Sequence, residues 1–216
     1  MKLLVLGRAD NVHVFRWCNG LCKRGYEIHL ASLRPPGTSN PLDPGIRVHL
    51  LESSLPGPLG YRQIARAFRQ VADRERPDLV HAHYAGVYGT LARWADARPP
   101  LVLSVYGHDV FQVPRKSVFH REWIIRNLRH ATVIGSTSEV MRRRVLDDLL
   151  PGADVTVTPF GVDVEEFNPA RFLARTPGAP PVIGTARALK PKYGIDTLIR
   201  AVGLLHLEGR TSLKLE

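Results

Sequence analysis

Thiols are scarce in this sequence: Cys18 and Cys22 are the two cysteines in 216 residues. A disulfide framework is therefore excluded, and the pair has no companion set of metal ligands. Four residues apart, they share one helix face and read as small core residues of a protein suited to a reducing cytoplasm. Long apolar runs are missing too. Met1-Lys2-Leu3-Leu4-Val5-Leu6 is cut short by Gly7, Arg8 and Asp10, whereas a secretory leader needs a longer apolar region and a cleavage site, so none is expected. No stretch approaches the length of a membrane span, so a soluble protein is expected. There is no long Lys/Arg run and no nucleic-acid-binding signature, so nucleic acid is not an expected partner. The Gly-x-Gly-x-x-Gly pattern of dinucleotide-binding enzymes is also absent, which argues against a nicotinamide or flavin oxidoreductase.

Positive charge, by contrast, is plentiful. Lys and Arg number 30 against 20 Asp and Glu, a formal net charge of +10. The basic residues are scattered, with small clusters at Arg142–Arg144 and at Lys190 and Lys192. Such an excess suits an anionic membrane surface or phosphorylated substrates, although a solvated Arg-rich surface accounts for much of it.

Short apolar runs alternate with amphipathic stretches. Strands are predicted at Leu3–Leu6, Glu27–Leu33, Ile46–Leu51, Asp78–Ala82, Leu101–Val105, Ala131–Gly135 and Val155–Thr158. Helical spacing marks Val14 to Cys22, Ile64 to Ala72, Val87 to Ala95 and Val140 to Leu150. Alternation of this kind predicts an α/β fold, a doubly wound, Rossmann-like parallel sheet, over residues 1–165. Residues 166–181 hold Pro169, Pro177, Pro180 and Pro181 and read as an interdomain linker. Residues 182–216 supply a strand, a helix built on Leu198, Val202 and Leu205, and a strand stub. They read as the start of a truncated second α/β domain.

Ligands of open parallel sheets bind beyond the carboxyl ends of the strands. Five segments fall there. Gly7 to His13 is a tight turn capped by Asp10 or Asn11, or a substrate contact through Gly7, Asn11 and His13. His81 and His83 point to one face of a strand; a third metal ligand is not evident, so no metal is expected and a polar strand end lining a cleft is favoured. In Tyr106-Gly107-His108-Asp109, His108 and Asp109 can exchange hydrogen bonds with sugar hydroxyls. Ser138 caps a helix, with a ligand contact secondary. Arg187 to Asp196 places cations before a helix, a cradle for a diphosphate.

The segment Pro159-Phe160-Gly161-Val162-Asp163, followed by Phe167-Asn168-Pro169, resembles the P-x-G-V-D…F-x-P hallmark of retaining glycosyltransferases of family four. Arg24-Gly25-Tyr26-Glu27-Ile28-His29-Leu30, Pro77-Asp78-Leu79-Val80-His81-Ala82-His83 and Ser138-Glu139 are similar to further elements of that family. Gly184-Thr185-Ala186-Arg187 and Lys192-Tyr193-Gly194 resemble the opening of its donor domain.

The resemblance implies the GT-B fold, with an N-terminal acceptor domain and a C-terminal nucleotide-sugar domain. Transfer would retain anomeric configuration, without metal or other cofactor, from a nucleotide-diphosphate sugar to a glycan or lipid-linked acceptor. It implies polysaccharide biosynthesis in the cytoplasm, peripheral to the inner membrane face. Arg187 and Lys192 would clamp the donor diphosphate; Tyr106, His108 and Asp109 would form the catalytic turn; Gly7, Asn11, His13, His83 and Ser138 would meet the acceptor. The family often has His where this chain has Tyr106. Its paired-glutamate element lies beyond Glu216, so the 216 residues alone are expected to be inactive. The alternative is a non-catalytic module that binds a glycan or a partner.

Overall fold

The computed structural model describes residues 1–38, 41–171, 182–209 and 214–215. The chain divides into two compact units, Met1–Gly161 and Val162–Glu216. In the first, seven strands form one parallel sheet: β1 (Lys2–Leu6), β2 (Glu27–Ser32), β3 (Arg47–Leu50), β4 (Leu79–His83), β5 (Leu101–Val105), β6 (Val133–Ser136) and β7 (Val155–Val157). Their order is β3-β2-β1-β4-β5-β6-β7. The chain winds outward from β1 to one edge, returns to β1 through β4, and winds to the other edge. The order reverses between β1 and β4, where Val5 pairs with His81 and Leu6 with Ala82.

The strands are almost continuously apolar because both faces are covered. On one face Leu3, Val5, Ile28 and Leu30 meet Val14 and Cys18 of helix α1 (Val12–Cys22). On the other, Leu4, Leu6, Val80 and Leu103 pack among α2 (Gly57–Glu75), α3 (Val87–Ala95) and α4 (Val118–Arg129). Helix α2 buries Ala65, Phe68, Val71 and Ala72, one stripe at helical spacing. It ends as Arg76 turns left-handed (φ 48°) ahead of Pro77. Helix α5 (Glu139–Arg143) runs on into a π-helical turn, Arg144–Leu149.

The seven strands predicted for residues 1–165 all appear, Leu101–Val105 with the same ends and the others with ends shifted by at most two residues. Helix α4 has no counterpart in the sequence reading. Ser117 caps it, accepting from the amide of His120 at 3.3 Å, and it buries Ile124, Ile125, Asn127 and Leu128.

In the second unit, β8 (Val182–Ile183) pairs in parallel with β9 (Lys214–Leu215), and α6 (Ile195–Leu207) lies between them in sequence. Most of the proline-rich linker, residues 172–181, lies outside the described residues. Among the described residues, no helix is long and apolar enough to cross a membrane.

Candidate functional site

The reversal of strand order opens a crevice between the carboxyl ends of β1 and β4, the place such sheets reserve for ligands. Three chain segments meet there: the loop from Gly7 into α1, the end of β4, and the turn after β5. Gly7 lets them close up. A Cβ at this position would lie 3.0 Å from Val14 Cγ2 and 3.4 Å from His83 Cβ. Asn11 caps α1, its Oδ1 accepting from the amides of His13 (2.9 Å) and Val14 (3.4 Å). Buried Ser32 ties two loops together: its Oγ accepts from Ala9 N at 3.0 Å and donates to Arg34 O at 2.6 Å.

The result is a cleft of about 530 Å³ whose walls include Arg8, Asn11, Arg34, His83, Tyr84 and Tyr106. His83 Nδ1 and the Tyr106 hydroxyl are 2.5 Å apart. The imidazole of His13 stacks on Phe160 (centroids 3.8 Å, 7° between planes) and meets Tyr106 edge-on at 5.8 Å. His13 and Phe160 line a second hollow of about 440 Å³ with Arg16, Trp17 and Arg24.

Burial sets the protonation states. It pushes the Tyr106 hydroxyl far up, aided by Asp109, so Tyr106 is a hydrogen-bonding phenol and not a base near neutral pH. It pulls His13 below the ordinary imidazole value, with Arg16 adding to the effect. His83 falls well below it, through burial first and then the neighbouring His81 and His13. His83 Nε2 is buried and finds no hydrogen-bond partner among the described residues, an unusual state for a buried ring nitrogen.

The turn after β5 divides its residues between two tasks. Asp109 points inward and is fully buried. Its carboxylate accepts from Ala85 N (2.8 Å) and Tyr106 N (3.0 Å), so it ties the turn to the loop after β4. Burial raises its pKa, and the amides of Ala85, Tyr106, Asp109 and Gly107 pull the other way. His108 is exposed, and its Nδ1 lies 2.8 Å from the Tyr84 hydroxyl.

Tyr84 itself holds φ 85°, a strained value for a residue with a side chain. A Cβ on Gly86 would lie 2.6 Å from the Tyr84 ring. Helix α4 braces this loop: Asn127 Nδ2 donates to Ala85 O and Thr90 Oγ1, both at 2.8 Å.

Gly7, Asn11, His13, His83 and Tyr106 are thus brought together. Ser138 caps α5, its Oγ accepting from Met141 N at 3.2 Å. Arg187 belongs to the second unit, its guanidinium 5.3 Å from the Tyr193 ring centroid. The side chain of Lys192 lies outside the described residues. Sequence reasoning missed Arg8, Arg34, Tyr84 and Asn127. A polar residue inside the apolar stripe Ile124, Asn127, Leu128 was the available signal for the last.

Residues 2–138 match the family described as glycosyl transferase 4-like. No curated protein matches the chain at a significant level. Among solved structures, sucrose-phosphate synthase from Thermosynechococcus elongatus is similar over 100% of this chain and 61% of its own, at 13% identity and a TM-score of 0.73. A UDP-forming trehalose-phosphate synthase from Burkholderia xenovorans is similar over 99% of this chain and 63% of its own (13% identity, TM-score 0.69). Anabaena Alr3699/HepE, solved in complex with UDP and glucose, covers 100% and 68% (16% identity, TM-score 0.60). The chain thus spans about three fifths of the length of the first two. These likenesses fix the fold as the Rossmann-like one of GT-B glycosyltransferases, and the match over residues 2–138 places the chain in the glycosyl transferase 4-like family.

Proposed function

We propose that the first unit is the acceptor-binding lobe of a retaining glycosyltransferase that uses a nucleotide-diphosphate sugar. The carrying observation is the reversal-point cleft, where Asn11, His83 and Tyr106 converge beside Arg34 and beside Arg8, whose guanidinium is paired with Asp10 (2.9 and 2.6 Å). Hydrogen-bonding side chains suit sugar hydroxyls, and the cations suit a phosphate on the acceptor. A glycan joined to a lipid through phosphate has both, and the net charge of +10 favours its approach from an anionic membrane surface. Polysaccharide assembly at the cytoplasmic membrane face fits such a substrate.

In this reading Tyr106 and His13 touch the acceptor, and His108 stands at the rim. Asp109 is a positioning residue, since its carboxylate is taken up by backbone amides. Arg187 and Lys192 hold the donor diphosphate and stabilise the departing charge. Membership of the glycosyl transferase 4-like family supports this donor class, and HepE, which shares the fold, was solved in complex with UDP and glucose.

The test is calorimetric titration of the 216-residue chain with a phosphorylated oligosaccharide and its unphosphorylated form. The phosphorylated form is expected to bind more tightly. His13→Ala is expected to weaken both about tenfold, roughly 1.4 kcal/mol, and to lower the melting temperature slightly through the lost stack on Phe160. Arg34→Ala is expected to erase the preference for phosphate. Equal affinity in wild type and both variants, or no binding of either sugar, overturns the reading.

A further inference from the structure

A second cluster of chemistry-bearing side chains lies on the α2 face of the sheet and shares no residue with the cleft. His29 of β2 and Ala31 point to the same face, and Ala31 pairs with His49 of β3, so both imidazoles project toward α2. Glu75, the last residue of α2, meets them. One ligand atom from each of His29, His49 and Glu75 falls within 4.8 Å of the other two. His29 Nδ1 is 3.0 Å from His49 Nε2 and 3.6 Å from Glu75 Oε2.

We propose that His29, His49 and Glu75 form a binding site for a divalent transition-metal ion of the zinc type. Ligand atoms at Zn–N bonds of about 2.0–2.1 Å in a tetrahedron stand about 3.4 Å apart. The two distances above bracket that edge. Two imidazole nitrogens and one carboxylate oxygen are a ligand set that zinc and cobalt accept, with a fourth position left for water.

Two further features favour a cation here. Glu27 Oε1 lies 3.1 Å from His29 Nε2. Accepting that proton leaves the Nδ1 lone pair aimed at the cluster, the carboxylate–histidine arrangement that orients metal ligands. The cluster also sits at the carboxyl end of the 19-residue α2, where the helix dipole is negative.

Without metal the same groups make one consistent chain: Arg74 donates to His49 Nδ1 (3.3 Å), His49 Nε2 to His29 Nδ1, and His29 Nε2 to Glu27. Metal binding therefore moves the His49 proton from Nε2 to Nδ1 and frees Arg74 Nη2 from His49, while Arg74 Nε stays on Glu75 Oε1 (2.8 Å) and leaves Oε2 to the ion. No proton leaves the neutral protein. The ion would tie the edge strand β3 and the end of α2 to β2.

The test is titration of the metal-free chain with Co²⁺. One ion per chain is expected, with the visible absorption of tetrahedral Co²⁺, displaced by Zn²⁺ and abolished by a chelator. Saturating zinc should raise the melting temperature by about 5–10 °C. His49→Gln and Glu75→Gln should each weaken binding at least about tenfold, while His120→Gln, an exposed histidine elsewhere, should not. His49→Cys keeps a ligand, so it should bind Co²⁺ and add a thiolate charge-transfer band. No tetrahedral spectrum, unchanged binding in both Gln variants, or a Cys variant lacking that band overturns the site.

Discussion

Asp109→Ala lowers the stability of the first unit by about 2–6 kcal/mol, at about 1–3 kcal/mol for each buried donor left without a partner. The amides of Ala85 and Tyr106 are those donors. A unit of this size loses about 2–4 °C in melting temperature per kcal/mol, so a fall on the order of 10 °C is expected in a thermal scan. Asp109→Asn keeps the shape but turns one acceptor into an NH₂ group facing an N–H, and falls between wild type and Ala. The charge also leaves a signature in pH. Burial raises the folded-state pKa, so the native protein holds this proton more tightly than the unfolded chain does. Stability from this group therefore falls as pH rises from the ordinary carboxylate range through the raised value, and the Asn variant loses that slope. A wild-type melting temperature in Asp109→Ala would show that the turn does not depend on the carboxylate.

Acid acts on the buried histidines in the opposite sense. Burial pulls His81 down to about 4 from an ordinary 6.5. Its Nε2 is engaged with Ser104 Oγ at 2.8 Å, and its ring lies 4.1 Å from that of His83. Both rings are neutral in the native state and charged in the unfolded chain at mildly acidic pH. Stability is then fully present above pH 6.5 and is lost as pH falls toward 4. At about 1.4 kcal/mol per unit, His81 alone accounts for about 3 kcal/mol of that loss. His83, whose pKa is also depressed, adds to it. Urea midpoints measured from pH 7 to pH 4 check this: wild type should drop steeply, and His81→Gln should drop less. Equal slopes in the two proteins would mean that His81 already carries its proton when folded.

The sheet was legible because runs such as Leu3–Leu6 and Leu101–Val105 are buried on both faces, and nothing but a central strand needs that pattern. Helix α4 was not, because its apolar positions flank buried Asn127 and sit among charged neighbours, which blurs the helical period. Its role appears only once Asn127 is seen bonded to the loop at Ala85.

Within the site, Gly7, Asn11 and His83 were legible from their places at strand ends. Side-chain direction was not. Asp109 follows Gly107, whose φ of 102° reverses the chain, and no spacing rule says which way the carboxylate then points. Phe160 was quoted only as part of a motif, and its stacking on His13 joins the segment after β7 to the helix after β1, four places apart in the sheet. The cluster of His29, His49 and Glu75 spans three elements, so it could be found only in space.

The order of the strands has a consequence for synthesis. On a ribosome the Gly7–His13 loop emerges first, yet one wall of the cleft arrives with β4 and another with Tyr106. The stack on His13 waits for Phe160. A nascent chain thus carries a half-made pocket through most of its translation, and the cleft can close only after strands separated by more than seventy residues, such as Leu3 and Leu79, have found each other. Ligand protection during timed translation arrest would appear late and abruptly, once residue 160 has cleared the exit tunnel.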